Sequence, residues 1–320
     1  MSFMTFDART VDSTGAFFVS ELQKMDYKLH LPLAAYTWSR DVDPRTDIDI
    51  GHESTSFMLQ AWAGTGGAVP SGKRWVSKAS TTLPAVSVDA GQVVSSLTPW
   101  AAEVSYTVAQ LQSSMLLNRP IDEQQVSALQ EMYQMDIDEQ VYIGDTGLSQ
   151  TGLCNKTGVT ATNVVAGTSS STLWKNKSEK EILTDVNTVL NLAWVASGLK
   201  YAPRKILLPP EQFTYINTTT VSSAMPMSIK TYLEQNSICN ALNNAPLEIQ
   251  YCKWLTGRGS GSTDRMVAYT QEYDVVRFPM TKLIALPVQY KGVYMSVPYI
   301  CKLGELEVVR PEMFYYADGI

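Results

Sequence analysis

Between Pro120 and Asp145 the apolar residues Val126, Leu129, Met132, Tyr133, Ile137 and Val141 recur at spacings of three and four. That is the period of an amphipathic helix with one buried stripe. Asp122 followed by Gln125, just after Pro120, is a capping-box pattern, and Gly144 is placed to stop the helix. From Asp122 to Tyr142 such a helix spans about 30 Å. A second helix is predicted after Ser178. Glu181 completes its capping box, Ile182, Val186, Val189, Leu190 and Ala193 make its stripe, and Gly198 ends it. Shorter helices are expected near 18–29, 210–217 and 228–236, the first stopping before Leu31-Pro32-Leu33.

Elsewhere the period is two. Val86 and Val88 alternate with Ala85, Ser87 and Asp89, and Val93-Val94 and Trp100 to Val108 continue the pattern. Phe57 to Trp62 lies on the other side of a glycine-rich stretch, Gly64 to Gly72. Two strands flanking such a tip predict a long hairpin or loop. Residues 144–172 are rich in Gly, Thr, Ser and Asn and read as loops and short strands. Arg204 to Leu208 reads as a short strand stopped by Pro209-Pro210. Residues 246–255 read as a strand with Leu247, Ile249 and Tyr251 on one side, and 265–320 as strands punctuated by Pro and Gly. Residues 1–20 read as a loosely structured arm. The pattern holds no internal repeat and no coiled coil.

Composition changes this picture in one respect. The chain has 320 residues, enough for one large or two modest domains, but only 18% are charged, below the usual quarter. With 16 Tyr, 7 Trp and 13 Met, it carries more apolar surface than a monomer ordinarily shows, and subunit contacts are an outlet for such residues. The net charge of −6 disfavours electrostatic wrapping of nucleic acid. No apolar run is long enough to span a membrane, and Met1 to Asp7 shows no signal-peptide pattern. Cys154, Cys239, Cys252 and Cys301 form no Cys-x-x-Cys pair and read as reduced cytosolic thiols. With only His30 and His52 to help, they do not predict a metal site.

The long helix is acidic at both ends. Asp122 and Glu123 suit the N-terminal end of the macrodipole, whereas Asp136, Asp138 and Glu139 crowd the C-terminal end that disfavours them, with no Lys or Arg inside the helix. Two readings follow: a solvated acidic face, or a face covered by a basic surface from elsewhere, such as another subunit.

Candidate chemistry is sparse. Gly67 to Lys73 nearly matches a phosphate-binding loop, but Arg74 stands where a hydroxyl is needed and Trp75 to Lys78 has no helix pattern. The bland reading is a mobile basic loop tip. Gly257 to Ser262 lies between two predicted strands and reads as a surface loop. Neither histidine neighbours a Gly-x-Ser-x-Gly elbow, and the helix-end carboxylates do not oppose one another across a cleft. The residues do not argue for an enzyme or a cofactor. A nucleotide-dependent enzyme built on Gly67 to Arg74 is the rival from another class.

Three stretches, in order, carry a resemblance: Tyr36-Thr37-Trp38-Ser39-Arg40-Asp41 after the arm; Ile143-Gly144-Asp145 with Thr151-Gly152-Leu153-Cys154-Asn155; and the ending Arg310 to Ile320. The chain resembles the major capsid proteins of tailed bacteriophages, the Hong Kong 97-like fold. The resemblance implies an α+β fold. It implies an N-terminal arm and the start of a peripheral domain over 1–54, and an extended β loop over 55–85 lying across a neighbouring subunit. A peripheral domain over 86–159 would follow, with its spine helix at 120–143, then an axial α/β domain over 160–265 and C-terminal strands over 266–320 returning to the peripheral domain. The implied function is an icosahedral or prolate phage head, self-assembled from hexamers and pentamers in the host cytoplasm and enclosing double-stranded DNA without sequence-specific binding. Scaffold, portal and decoration proteins are the implied partners, with no membrane. In this frame a neighbour's basic loop, with Lys73, Arg74, Trp75 and Lys78, is the expected cover for Asp136, Asp138 and Glu139. The same fold serves encapsulin compartments, which enclose enzymes and are the nearest alternative.

Overall fold

Ile206, Leu207 and Leu208 are all fully buried, yet Leu207 belongs to one hydrophobic cluster and its two neighbours to another. That alternation marks a strand covered on both faces, and it organises the molecule. The computed structural model describes residues 34–64, 73–76, 78, 83–116, 121–222, 225–243 and 245–320. The chain divides into Met1–Ala35 and Tyr36–Ile320, and the second unit is described below. The predicted arm, the helix near 18–29, His30 and the stretch 65–72 lie outside the described residues, as does the side chain of Asp122 with its capping box.

The first half of the unit comprises α1 (Trp38–Asp41), β1 (Asp43–Arg45), β2 (Ser54–Gly64), β3 (Val86–Thr107), α2 (Val108–Leu116) and α3 (Ile121–Tyr142). Then come β4 (Thr160–Asn163), α4 (Glu179–Ala196), β5 (Lys205–Leu208), α5 (Pro210–Thr218), β6 (Thr220–Ser222), β7 (Met225–Ser228), α6 (Ile229–Asn236) and α7 (Ile238–Asn243). The remainder is strand: β8 (Glu248–Tyr251), β9 (Arg265–Tyr269), β10 (Val276–Pro279), β11 (Ile284–Ala285), β12 (Gln289–Lys291), β13 (Tyr294–Gly304), β14 (Glu307–Val308) and β15 (Tyr315–Asp318).

The central sheet has the order β4-β15-β9-β5-β8, with parallel pairs at both edges and antiparallel pairs between. One face, through Leu207, Val267, Tyr269 and Tyr316, packs in a cluster with Tyr133, Ile137, Val141 and Tyr142 of α3. The other, through Ile206, Leu208, Met266, Ala268 and Tyr315, packs with Ile182, Val186, Val189, Leu190 and Ala193 of α4. The α4 stripe is therefore the predicted one. The α3 stripe is rotated: Met132 is exposed, Val126 is half-buried, and Tyr142 is buried instead. Of Leu247, Ile249 and Tyr251, expected on one side of their strand, the first two are buried and Tyr251 is exposed.

A second sheet has the order β11-β13-β3-β2. The separate alternating stretches of the sequence join into one 22-residue strand, β3. Its first half pairs with β2 from Gly64↔Val86 to Ser54↔Ser96, and its second half with β13 from Gly304↔Leu97 to Tyr294↔Thr107. A third, small sheet, β1-β10-β14, lies beneath the root of the β2–β3 ribbon. There Arg45 donates to Ser56 O at 3.5 Å, and Arg277 lies 6.0 Å from the Phe57 ring. Buried Glu307 accepts from both arginines, at 3.2 Å and 2.6 Å, which satisfies a carboxylate that would otherwise be costly to bury.

Candidate subunit interface

The acidic end of α3 resolves into three different environments. Asp138 is fully buried. It accepts from Thr37 N at 2.7 Å, Trp38 N at 3.1 Å and Trp254 Nε1 at 2.8 Å, and pairs with Lys253 Nζ at 3.0 Å. Position 138 lies three and four residues before buried Val141 and Tyr142, which is what turns it inward. The expectation that all three carboxylates face solvent or a neighbour is corrected here: Asp138 faces its own chain. Asp136 accepts from Trp100 Nε1 at 2.8 Å, on the side where Trp100 meets Tyr133 at 5.1 Å. Glu139 is exposed and makes no ion pair among the described residues.

The turn after α3 explains the second stretch of the resemblance. Gly144 takes φ +75, and Asp145 accepts from Gly147 N at 2.7 Å to open a short 3-10 turn. The chain then returns along the helix end. Leu153 N, Cys154 N and Gly152 N donate to Val141 O, Tyr142 O and Ile143 O at 2.8, 2.9 and 3.1 Å, filling acceptors that a helix C-terminus leaves open. A Cβ at Gly152 would stand 2.6 Å from Tyr142 O, so only glycine passes there. The first stretch is equally physical. Thr37 and Trp38 clip Asp138. Asp41 is buried against Arg40 at 2.8 Å, Lys205 at 3.1 Å and the Tyr142 hydroxyl. Burial, together with the Asp41 charge, pushes the Tyr142 hydroxyl well above the ordinary phenol value.

The ribbon formed by β2 and the first half of β3 presents the opposite chemistry. Register places Met58, Gln60, Trp62, Val86, Val88 and Val94 on one face and Phe57, Leu59, Ala61, Asp89 and Val93 on the other. Met58 is 74% exposed, Trp62 86% and Val88 66%. The outer edge of β2, and that of β3 over 86–96, pair with no strand among the described residues. Neither edge carries the Lys or Pro that ordinarily blunts one, and Asp89 is the single charge on the ribbon. Beyond the ribbon end, Lys73, Arg74, Trp75 and Lys78 are exposed, and the Arg74 guanidinium lies against Gly64. Residues 74–76 are not helical, so the helix that a phosphate-binding loop requires is missing there.

The family model for major capsid proteins matches residues 72–320. The chain belongs to the major capsid protein family. The capsid of Myoviridae phage XM1 superposes with a TM-score of 0.78 at 15% identity, covering 96% of this chain and 100% of that one. The capsid of a native GTA particle gives 0.61 at 12% identity, covering 97% and 98%. That of Mycobacterium phage Adephagia gives 0.55 at 12%, covering 96% and 92%. No curated protein matches by sequence. The fold is thus the α+β, Hong Kong 97-like fold of phage capsids, and the capsid protein is a structural component of the virion shell rather than an enzyme.

Other chemistry is correspondingly quiet. The four cysteines are buried free thiols, and burial pushes Cys301 up to about 11. Among the described residues no acidic, His or Cys group could hold a metal, and no helix is long and apolar enough to cross a membrane. His52 Nδ1 accepts from Asp49 N at 3.0 Å in a local turn. Sequence reasoning missed the groove that Asp136 and Glu139 share with Thr98–Trp100, Asp145 and Leu148. Its signal was present in the Ile143-Gly144-Asp145 turn, which folds Asp145 back toward the helix end.

Proposed function

We propose that the capsid protein self-assembles into hexamers and pentamers that close an icosahedral or prolate head around double-stranded DNA. The observation that carries this reading is the β2–β3 ribbon, whose apolar faces no other element covers among the described residues. A two-stranded ribbon with apolar residues on both faces is marginal in water, and this one exposes Met58, Trp62, Val86, Val88 and Val94 together on one face. Covering it with a neighbouring copy removes the apolar surface from water. In this reading 55–85 is the loop that reaches the neighbour, 86–159 the peripheral domain and 160–265 the axial domain, with 1–54 as arm and 266–320 as returning strands. The net charge of −6 suits a shell that receives DNA from a motor instead of attracting it. Scaffold, portal and decoration proteins complete the head in the host cytoplasm.

Negative-stain electron microscopy with light scattering on the chain expressed alone tests this. Closed particles or capsomer rings are expected, and a monomer that persists both alone and with the neighbouring phage proteins overturns it. A virus-like particle from Pyrococcus furiosus also matches, with a TM-score of 0.51 at 9% identity, so the contents of the particles are decisive. Packaged DNA supports the head, and a protein cargo supports a compartment.

A further inference from the structure

We propose that Trp100 and Asp136 are positioning residues for assembly: their hydrogen bond fixes the angle at which the β2–β3 ribbon leaves the body, and that angle sets the curvature of the shell. This rests on the self-assembly proposed above and names the residues that control its geometry.

Strand β3 and helix α3 lie side by side. Thr98, Trp100, Val104 and Tyr106 share one face of β3 by the strand period. Val104 and Tyr106 line a groove with Glu123, Val126 and Gln130 from the first half of α3. Trp100 meets the Tyr133 ring at 5.1 Å and donates from Nε1 to Asp136 Oδ2 at 2.8 Å, in the second half. Strand and helix therefore run in opposite directions. Their lengths agree: from Thr98 to Tyr106 the strand rises about 26 Å, and from Glu123 to Gln140 the helix rises about 26 Å. The ribbon is the continuation of the same strand past the end of this pairing.

Two pins close that end. The first is Trp100 on Asp136. The second starts one helical turn later, where Gln140 donates to Gln150, whose Nε2 donates to Thr98 Oγ1 at 3.5 Å. Asp136 and Gln140 share a helix face, as Thr98 and Trp100 share a strand face. The second pin is long and indirect, so the first carries the position. Gly304 pairs with Leu97, and a Cβ there would stand 2.7 Å from Pro279 Cγ. That close packing fixes where β3 changes partner, not the direction it then takes.

Past Leu97 the ribbon is held weakly among the described residues. Arg45 reaches Ser56 O only at 3.5 Å, and an open gap lined by Met58, Trp62, Val88, Val309 and Arg310 separates ribbon from body. At about 3.3 Å per residue, the eleven residues of β2 make a lever of roughly 35 Å. A small tilt at the pin thus becomes a displacement of several ångström along the ribbon. Copies that join through such a lever repeat the displacement at every contact, and the size at which a symmetric assembly closes follows from the angle between neighbours.

Spin labels on Val88→Cys and Met132→Cys, both positions exposed, test the pin in the unassembled chain, because the four native thiols are buried. Double electron–electron resonance should give one narrow distance for the parent. Trp100→Phe keeps a ring against Tyr133 and loses the N–H; it should broaden that distance at least twofold, as should Asp136→Ala. Asp136→Asn keeps an acceptor and should restore the parent width. Electron microscopy should then show Trp100→Phe particles spread in diameter and Asp136→Asn particles matching the parent. Parent width in both Trp100→Phe and Asp136→Ala overturns the pin. Asp136→Asn as broad as Asp136→Ala overturns the hydrogen bond as its cause. A broadened distance with particles of parent diameter overturns the link to curvature. Should Trp100→Phe fail to fold, the two Asp136 variants decide between them. Parent chains that never assemble overturn the shell reading and the link to curvature with it, while the distances still decide the pin.

Discussion

The central sheet and the ribbon are built from the same alternation of apolar and polar positions, yet they end in opposite states. In the sheet, Leu207 and Ile206 point into two cores, each closed by a helix of the same chain. In the ribbon, Trp62 and Leu59 point away from each other and no element among the described residues covers either. The polar groups differ in the same way. The body buries Asp41, Asp138 and Glu307 and gives each at least two charge-assisted partners. The ribbon carries Asp89 alone. The two cores of the body are therefore closed by their own chain, whereas no element among the described residues closes either face of the ribbon.

The most drastic way to break this comparison is to remove the ribbon. Leu97 N donates to Glu53 O at 2.9 Å, so residues 54–96 can be replaced by a two-residue Asn-Gly turn that closes the hairpin at its root. The expected outcome is complete loss of assembly by light scattering, with the thermal midpoint of the remaining body moved by only a few degrees. A body that fails to fold would show that the ribbon belongs to the core after all.

The next effect strikes the body. Asp138→Ala removes a carboxylate from two backbone N–H groups, an indole N–H and a lysine, leaving buried donors without partners. Urea denaturation of the unassembled chain should show a loss of about 3 kcal/mol, the scale for breaking buried charge-assisted bonds. An unchanged midpoint would mean that water replaces Asp138 and that the clip by Thr37 and Trp38 is incidental.

Asp138 also marks where sequence reasoning ends. Its position in an acidic run was plain, but its partners Thr37, Trp38 and Trp254 lie about a hundred residues away in the chain. No local pattern encodes them. Helix α4 was legible because the Glu181 cap and the stripe it opens are both local: Ser178 N donates to Glu181 Oε2 at 2.9 Å. The ribbon was half legible. Alternation identifies strands, but the same period serves a strand covered on both faces and one covered on none, so exposure had to come from the structure. Helix α2 was missed because Val108–Leu116 carries no charge and follows directly from an alternating strand, although Thr107 and Gln110 cap it reciprocally, Gln110 N donating to Thr107 Oγ1 at 3.1 Å and Thr107 N to Gln110 Oε1 at 3.0 Å.

A smaller effect sharpens the ribbon side. Trp62→Ser should leave the monomer within about 0.5 kcal/mol of the parent, because an 86% exposed side chain holds little of the fold. Assembly should nonetheless require at least tenfold more protein, since losing a covered indole costs more than the 1.4 kcal/mol that a tenfold change represents. A sedimentation titration measures both species. A Trp62→Ser chain that assembles at the parent concentration would place the ribbon face outside any subunit contact.

The smallest effect is a titration, and it separates the regions by charge alone. Glu181 accepts from the Thr168 hydroxyl, from Thr168 N at 2.7 Å and from Ser178 N at 2.9 Å, and these bonds hold its carboxyl at about 2, below the ordinary 4.5. A carboxylate with a lowered native value contributes fully above its unfolded value and loses that contribution as pH falls through the native one. The body should therefore lose stability between about pH 4.5 and 2, and Glu181→Gln should flatten part of that slope while leaving assembly at neutral pH unchanged. Parallel slopes for parent and variant would show that Thr168 and Ser178 bind the carboxylate no better than water does. Glu181 lies outside the ribbon, so truncating the ribbon should leave the Glu181 signal in place.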